Sequence, residues 1–184
     1  CDNCYAERMA YRLACKGQDK YRAVVRGEGI VEDVDREGPL HGRWNGDVFL
    51  DESALADPKK SPLHWRKPRT IFVVSMGDLF YERVPFEFID RIFAVMAMCP
   101  QHTFLLLTKR PERAREYLTT GNAPHYPRLT DIEIVMESDH GWVSRDDLAN
   151  IAPAGSTLPR DLEWPLPNVW LGVTAENQEQ ADKR

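Results

Sequence analysis

Thr70-Ile71-Phe72-Val73-Val74-Ser75-Met76-Gly77-Asp78 is an apolar run that stops at a polar, glycine-containing turn. Ile71 to Val74 has no polar residue to turn toward water, which is the pattern of a parallel strand covered on both faces. The next segment, Pro85 to Cys99, is a helix by spacing: Phe86, Ile89, Ile92, Phe93 and Met96 share one stripe, Pro85 sits in the first turn and Pro100 lies beyond the end. A second strand, Thr103 to Leu107, ends at Thr108-Lys109-Arg110, and Pro111 opens a helix through Leu118 that closes near Gly121. A third strand, Val169 to Val173, ends at Thr174 and leads into a helix starting near Glu176. Strand and helix alternating in this way predict an α/β fold of parallel strands joined by right-handed crossovers.

The rhythm breaks between Asn122 and Pro167, far longer than the ~2–6 residues of an ordinary helix-to-strand connection. Ile132, Ile134 and Met136 alternate with charged residues there, and Ser144 to Ile151 reads as a short capped helix. We read this stretch, at about 122–163, as an insertion within one domain spanning residues 1–184. Upstream, Tyr5 to Lys16 has Ala6, Met9, Ala10, Leu13 and Ala14 at helical spacing, Glu7, Arg8 and Arg12 on the other faces, and Gly17 as a stop. Gln18 to Arg69 is less regular, with Asp47 to Leu50 as a short strand. Lys59, Lys60, His64, Arg66, Lys67 and Arg69 form a basic run around Trp65. A nucleic-acid contact fits that run, but a solvated connector is the preferred reading, because 29 acidic residues outnumber 24 basic ones in the chain. The net charge of −5 argues against a general nucleic-acid or membrane-surface binder, and no apolar run approaches the ~20 residues of a membrane span. Four cysteines, at 1, 4, 15 and 99, do not make a secreted disulfide framework, so a reducing, cytoplasmic setting is expected.

In parallel α/β folds the active site lies at the carboxyl ends of the strands. Those ends carry Ser75, Gly77 and Asp78, then Thr108, Lys109 and Arg110, then Thr174, Glu176 and Asn177. Helix capping selects the same residue types, and for Thr174 and Glu176 capping serves as well as function. Lys109 and Arg110 oppose the helix dipole, which points to an anionic ligand. The two long irregular stretches join helices to following strands and so belong to the opposite end of the sheet. Cys1 and Cys4, three positions apart before a helix that Asn3 can cap, can place two thiolates on one metal. Cys15 stands ~15 Å further along that helix, and Cys99 ends its own helix at the far side of the sheet. A lone C-x-x-C serves zinc, iron–sulfur or redox dithiol chemistry alike.

Together, Cys1-Asp2-Asn3-Cys4-Tyr5-Ala6-Glu7-Arg8, Arg66-Lys67-Pro68-Arg69, Ser75-Met76-Gly77-Asp78-Leu79-Phe80, Leu107-Thr108-Lys109-Arg110-Pro111 and Trp170-Leu171-Gly172-Val173 resemble, in order, a three-cysteine-motif family of phage and bacterial proteins. That family is similar to radical S-adenosylmethionine enzymes. The resemblance implies a partial (β/α) barrel, present here as a fragment truncated at both ends, whose third cysteine ligand precedes Cys1. It implies a 4Fe-4S iron–sulfur cluster held through Cys1 and Cys4, with S-adenosylmethionine at the open iron. Tyr5, Ser75, Gly77 and Asp78 would contact that cofactor, with Asp78 accepting from the methionine amine. Lys109, Arg110, Thr174 and Glu176 would hold a substrate of unknown identity, a nucleotide or nucleic acid being compatible, and a partner protein is a further expectation. The chain departs from related enzymes in lacking a Gly-Gly-Glu-type motif after its strand. Two other readings stand beside this one: a non-catalytic zinc or iron–sulfur protein acting with a partner, and a thiol–disulfide exchange site at Cys1 and Cys4.

Overall fold

Gly17 sets the first boundary. In the computed structural model, which describes residues 4–26, 43–57, 59–120, 165–175 and 178–183, helix α1 runs Tyr5–Cys15 and its chain reverses at Gly17 with φ +82°. The amide of Gly17 donates to Ala14 O and that of Gln18 to Leu13 O, the paired bonds of a Schellman cap. A left-handed φ costs glycine little, so this position stops the helix. Asn3, proposed as its N-cap, and the insertion at about 122–163 lie outside the described residues; Cys4 occupies the N-cap position.

The described chain divides into two compact units, residues 1–51 with 74–77 and residues 52–73 with 78–184. In the first, α1 is followed by α2 (Asp19–Arg22) and by two short strands, β1 (Val25–Arg26) and β2 (Arg43–Trp44), paired antiparallel. Its core is Ala10, Tyr11, Ala14 and Val25, with Tyr21, Val24, Trp44 and Met76 packed against it. The buried face of α1 therefore runs along Ala10, Tyr11 and Ala14, while Met9 is 37% exposed. That is a rotation from the stripe expected in sequence. Small alanines let the neighbouring chain approach closely, and Glu7, assigned to an outer face, turns inward instead. Its carboxylate accepts from the Trp44 amide at 2.9 Å and lies 3.7 Å from the Arg43 guanidinium, fixing β2 to the helix. Asp47 to Leu50, expected as a strand, forms no strand among the described residues.

The second unit contains helix α3 (Ser53–Ala56), a 3-10 turn at Pro62–His64, strands β3 (Thr70–Val73), β4 (Thr103–Thr108) and β5 (Val169–Val173), and helices α4 (Phe86–Ala97), α5 (Pro111–Thr119) and α6 (Gln178–Lys183). The three strands form one parallel sheet in the order β3-β4-β5, with Phe72 opposite Leu105 and Leu105 opposite Trp170. Alternation along β4 separates the faces: Phe104, Leu106 and Thr108 are buried and Leu107 is 43% exposed. Phe72 and Trp170, on the Leu107 face, are 46% and 66% exposed. Among the described residues, the Phe104–Leu106–Thr108 face is covered at β4, while on β5 Leu171 and Val173, on that same face, are 41% and 45% exposed. The two-sided covering expected from the apolar runs is therefore not met by the described residues. Gly172 lets Leu107 lie across β5, since a Cβ there would stand 2.7 Å from Leu107 Cδ2.

Helix α4 begins after Pro85 at the N-cap, one place before its expected position in the first turn. Its second half is buried nearly all round, from Ile92 to Ala97. Asp90 is buried in it and accepts from the Tyr117 hydroxyl of α5 at 2.8 Å. The Tyr117 ring meets Phe80, Phe86 and Phe93 at centroid distances of 5.9, 5.4 and 5.3 Å. This aromatic cluster joins α4 to α5 and the chain leaving β3.

Just past β3, Val74 has φ +56°. For a β-branched residue this conformation costs about 1–2 kcal/mol, and Val74 recovers little by burial because it is 40% exposed. Substituting Val74→Gly should therefore leave stability unchanged or raise it by up to about 1 kcal/mol, since relief of the left-handed strain offsets the entropy glycine adds to the unfolded chain. Urea denaturation checks this, and a loss above about 1.5 kcal/mol would show that Val74 is not strained.

Candidate functional site

Parallel strands end in peptide groups that the next helix leaves unbonded, so the carboxyl end of the sheet needs side chains to satisfy them. Asp78 does this for two strands at once. Its Oδ1 accepts from the Thr108 hydroxyl at 2.8 Å and from the Phe80 amide at 3.0 Å. Its Oδ2 accepts from the Lys109 amide at 2.9 Å and from Arg110 Nη1 at 3.0 Å. The Thr108 hydroxyl, fully buried, in turn accepts from the Arg110 amide at 2.9 Å. From β5, the Thr174 amide donates to Thr108 O at 2.9 Å. One carboxylate thus ties together Asp78, Thr108, Lys109 and Arg110, and the backbone adds Thr174.

Arg110 is the N-cap of α5 and carries a charge that the helix dipole disfavours. Sequence reasoning looked outside the chain for the compensating anion; the structure places it within. Besides Asp78, the guanidinium donates from Nε to Glu82 Oε1 at 2.9 Å and stacks over Tyr81 at 4.7 Å. Burial works against the Arg110 charge, but the bonds to Glu82 and Asp78 outweigh it and raise its pKa. A hydrogen bond from its own backbone N–H, and then the Arg110 guanidinium, hold the Glu82 carboxyl below its ordinary range. Glu82 and Tyr81 were not singled out in sequence. The only signal was their position four and three residues beyond Asp78, on the loop that the strand end feeds.

Four accepted hydrogen bonds fill the usual capacity of a carboxylate. Asp78 is therefore a positioning group in this structure, holding the Lys109-Arg110 turn. Ser75 and Gly77 are exposed in the turn after β3, and Tyr5, the first residue of α1, is 64% exposed. Glu176 and Cys1 lie outside the described residues. Cys4 is a partly buried free thiol at the start of α1. Cys99 differs: burial pushes its pKa up to about 12. Among the described residues, no group of three or more His, Cys, Asp or Glu could hold a metal ion, and no helix is long and apolar enough to cross a membrane.

Two measurements follow from this geometry. Asp78→Ala should cost about 3 kcal/mol in chemical denaturation, because it strands a buried hydroxyl and two amides, while Glu82→Gln on the exposed side of Arg110 should cost under about 1 kcal/mol. Equal losses would overturn the assignment of Asp78 as the hub. In the native protein at mildly alkaline pH, iodoacetamide should label Cys4 and spare Cys99 until denaturant is added; comparable native rates at the two sites would contradict the burial of Cys99.

Neither a curated protein nor a solved structure matches the chain. A family model does, over residues 1–184, under the description "Protein of unknown function (DUF5131)". The chain belongs to that family.

Proposed function

We propose that this chain is the cluster-bearing part of an iron–sulfur protein similar to radical S-adenosylmethionine enzymes, working in a reducing, cytoplasmic setting. The observation that carries the reading is Cys4: a free thiol, accessible in part, at the N-cap of α1. As a donor it fits a cluster ligand, in contrast to the deeply buried Cys99 thiol. Cys1 and Cys4 would hold two irons of a 4Fe-4S cluster. When bound with S-adenosylmethionine, such a cluster supplies one-electron chemistry that can end in a 5′-deoxyadenosyl radical.

The protein's own residues supply position and electrostatics. Asp78 fixes the Lys109-Arg110 turn at the end of β4, with Thr174 alongside. In this reading the turn serves as the substrate-facing edge, and Asp78 orients it without itself contacting S-adenosylmethionine. Tyr5, exposed beside Cys4, is available to a cofactor there. The parallel order β3-β4-β5, with Phe72, Leu107 and Trp170 exposed on one face among the described residues, also suits a partial (β/α) barrel, in which one face belongs to the helices and the other to the barrel interior.

Anaerobic reconstitution of the full-length protein with iron and sulfide tests the reading. A brown, oxygen-labile chromophore is expected, lost in Cys4→Ala and kept in Cys15→Ala, and the reduced protein with S-adenosylmethionine should release 5′-deoxyadenosine. A cluster that forms without this product would support only an iron–sulfur role. Stoichiometric zinc in a colourless protein, or a reversible Cys1–Cys4 disulfide without metal, would overturn the proposal.

A further inference from the structure

We propose that the segment from Lys59 to Arg69 is a docking surface for single-stranded nucleic acid. The inference is independent of the iron–sulfur reading and concerns the opposite end of the sheet, where Arg69 leads into β3. Over these eleven positions the chain places Lys59, Lys60, Arg66, Lys67 and Arg69 and no carboxylate, although acidic residues exceed basic ones in the chain as a whole.

The segment is held in place. Ser61 is buried and its hydroxyl accepts from the Leu63 amide at 3.3 Å, and Leu63 is buried beside it. The buried imidazole of His102 then ties both ends. Its Nδ1 accepts from the Arg69 amide at 3.2 Å, so Nε2 carries the proton and donates to Pro62 O at 3.2 Å. Trp65 lies against His102 with ring centroids 6.1 Å apart. Anchoring of this kind fixes the backbone from Pro62 to Arg69 and lowers the ordering cost of binding through it.

Two of the cations it carries, Arg66 and Lys67, have no side-chain partner among the described residues. Arg66, Lys67 and Arg69 are exposed, and neither Arg66 nor Lys67 makes an ion pair or side-chain hydrogen bond among the described residues. Elsewhere Lys20, Arg43, Arg91 and Arg110 each face a carboxylate. Within the segment and among the described residues, Lys60 has one near, Asp57 at 4.0 Å. The Arg69 guanidinium lies over the Trp65 ring at 4.5 Å. A planar cation stacked on an indole can offer its other face to an unpaired base, while the neighbouring Arg66 and Lys67 are suited to phosphates. An irregular loop, lacking a helix or ribbon to enter a groove, favours a single strand over a duplex.

Fluorescence anisotropy with a labelled oligothymidylate and the full-length protein tests this across a salt series. Each phosphate contact contributes about 0.7 to the slope of log affinity against log salt for a single strand. Arg66→Gln with Lys67→Gln should therefore lower the slope by about 1.4 and weaken binding roughly twentyfold at about 0.1 M salt. Arg69→Lys should weaken binding while leaving the slope unchanged, because it keeps the charge and loses the stacked plane. Arg83→Gln with Arg115→Gln removes equal charge from other exposed sites and should leave the slope unchanged. The proposal fails if that control acts as strongly as the loop variant, if the loop variant binds like wild type, or if the wild type prefers polyglutamate or anionic vesicles to the oligonucleotide. Matching circular dichroism spectra for the variants would assign any loss to the surface and not to unfolding.

Discussion

Asp78 has to satisfy four donors from two different pieces of chain with two oxygen atoms. Its carboxylate stands where β3 has ended, yet three of its four bonds go to the segment that ends β4, thirty or more residues later. Taking a carboxylate largely out of water costs several kcal/mol, and charge-assisted bonds to amides, a hydroxyl and a guanidinium offset that cost only when all are made together. The β3–β4 pair therefore has a defined end. Its other end has a reciprocal clamp, in which His102 precedes β4 and reaches back to the segment that opens β3. Between them, the two side chains bracket a parallel ladder running from Thr70 opposite Thr103 to Val73 opposite Leu106.

This explains which parts of the fold were legible in sequence. Val169–Val173 matches its expected bounds, and β3, β4, α4 and α5 shift by a residue or two, because each has a long apolar pattern or a Pro or Gly at its edge. The two-residue strands β1 and β2 are too short to carry a pattern and exist because Glu7 and the small face of α1 hold them. Tyr117 was invisible for another reason. α5 was read from Pro111 and Gly121, and nothing local says that a tyrosine in it meets three phenylalanines and a buried carboxylate.

The candidate site shows the same division. The residue types at the strand ends were recognisable, since parallel sheets put polar groups there. Their roles depended on partners distant in sequence: Lys109-Arg110 looked like an unbalanced pair of cations until Asp78 and Glu82 came into contact with Arg110. A cation at a helix start is anomalous only if the counter-charge is sought on the same helix. The Asp78 and Thr108-Lys109-Arg110 motifs supply bonds that tie β3 to β4, so Asp78 satisfies a structural demand whatever chemistry the protein performs.

Charge is therefore spent differently at the two ends of the sheet. At the carboxyl end, an incoming anion would have to displace or share with Glu82, an exposed pair worth at most about 1 kcal/mol, and then with Asp78, which is fully bonded and partly buried. Arg110 is more useful there as a rigid electrostatic wall than as an anion's direct partner. At the amino end, Arg66 and Lys67 have no side-chain partner among the described residues, and the backbone on either side of them is tied by His102. Releasing counterions from a nucleic-acid strand drives association without breaking any bond of the fold. An anionic polymer should therefore engage the amino-end loop before the carboxyl-end turn, because at the turn the Arg110 charge already faces Asp78 and Glu82.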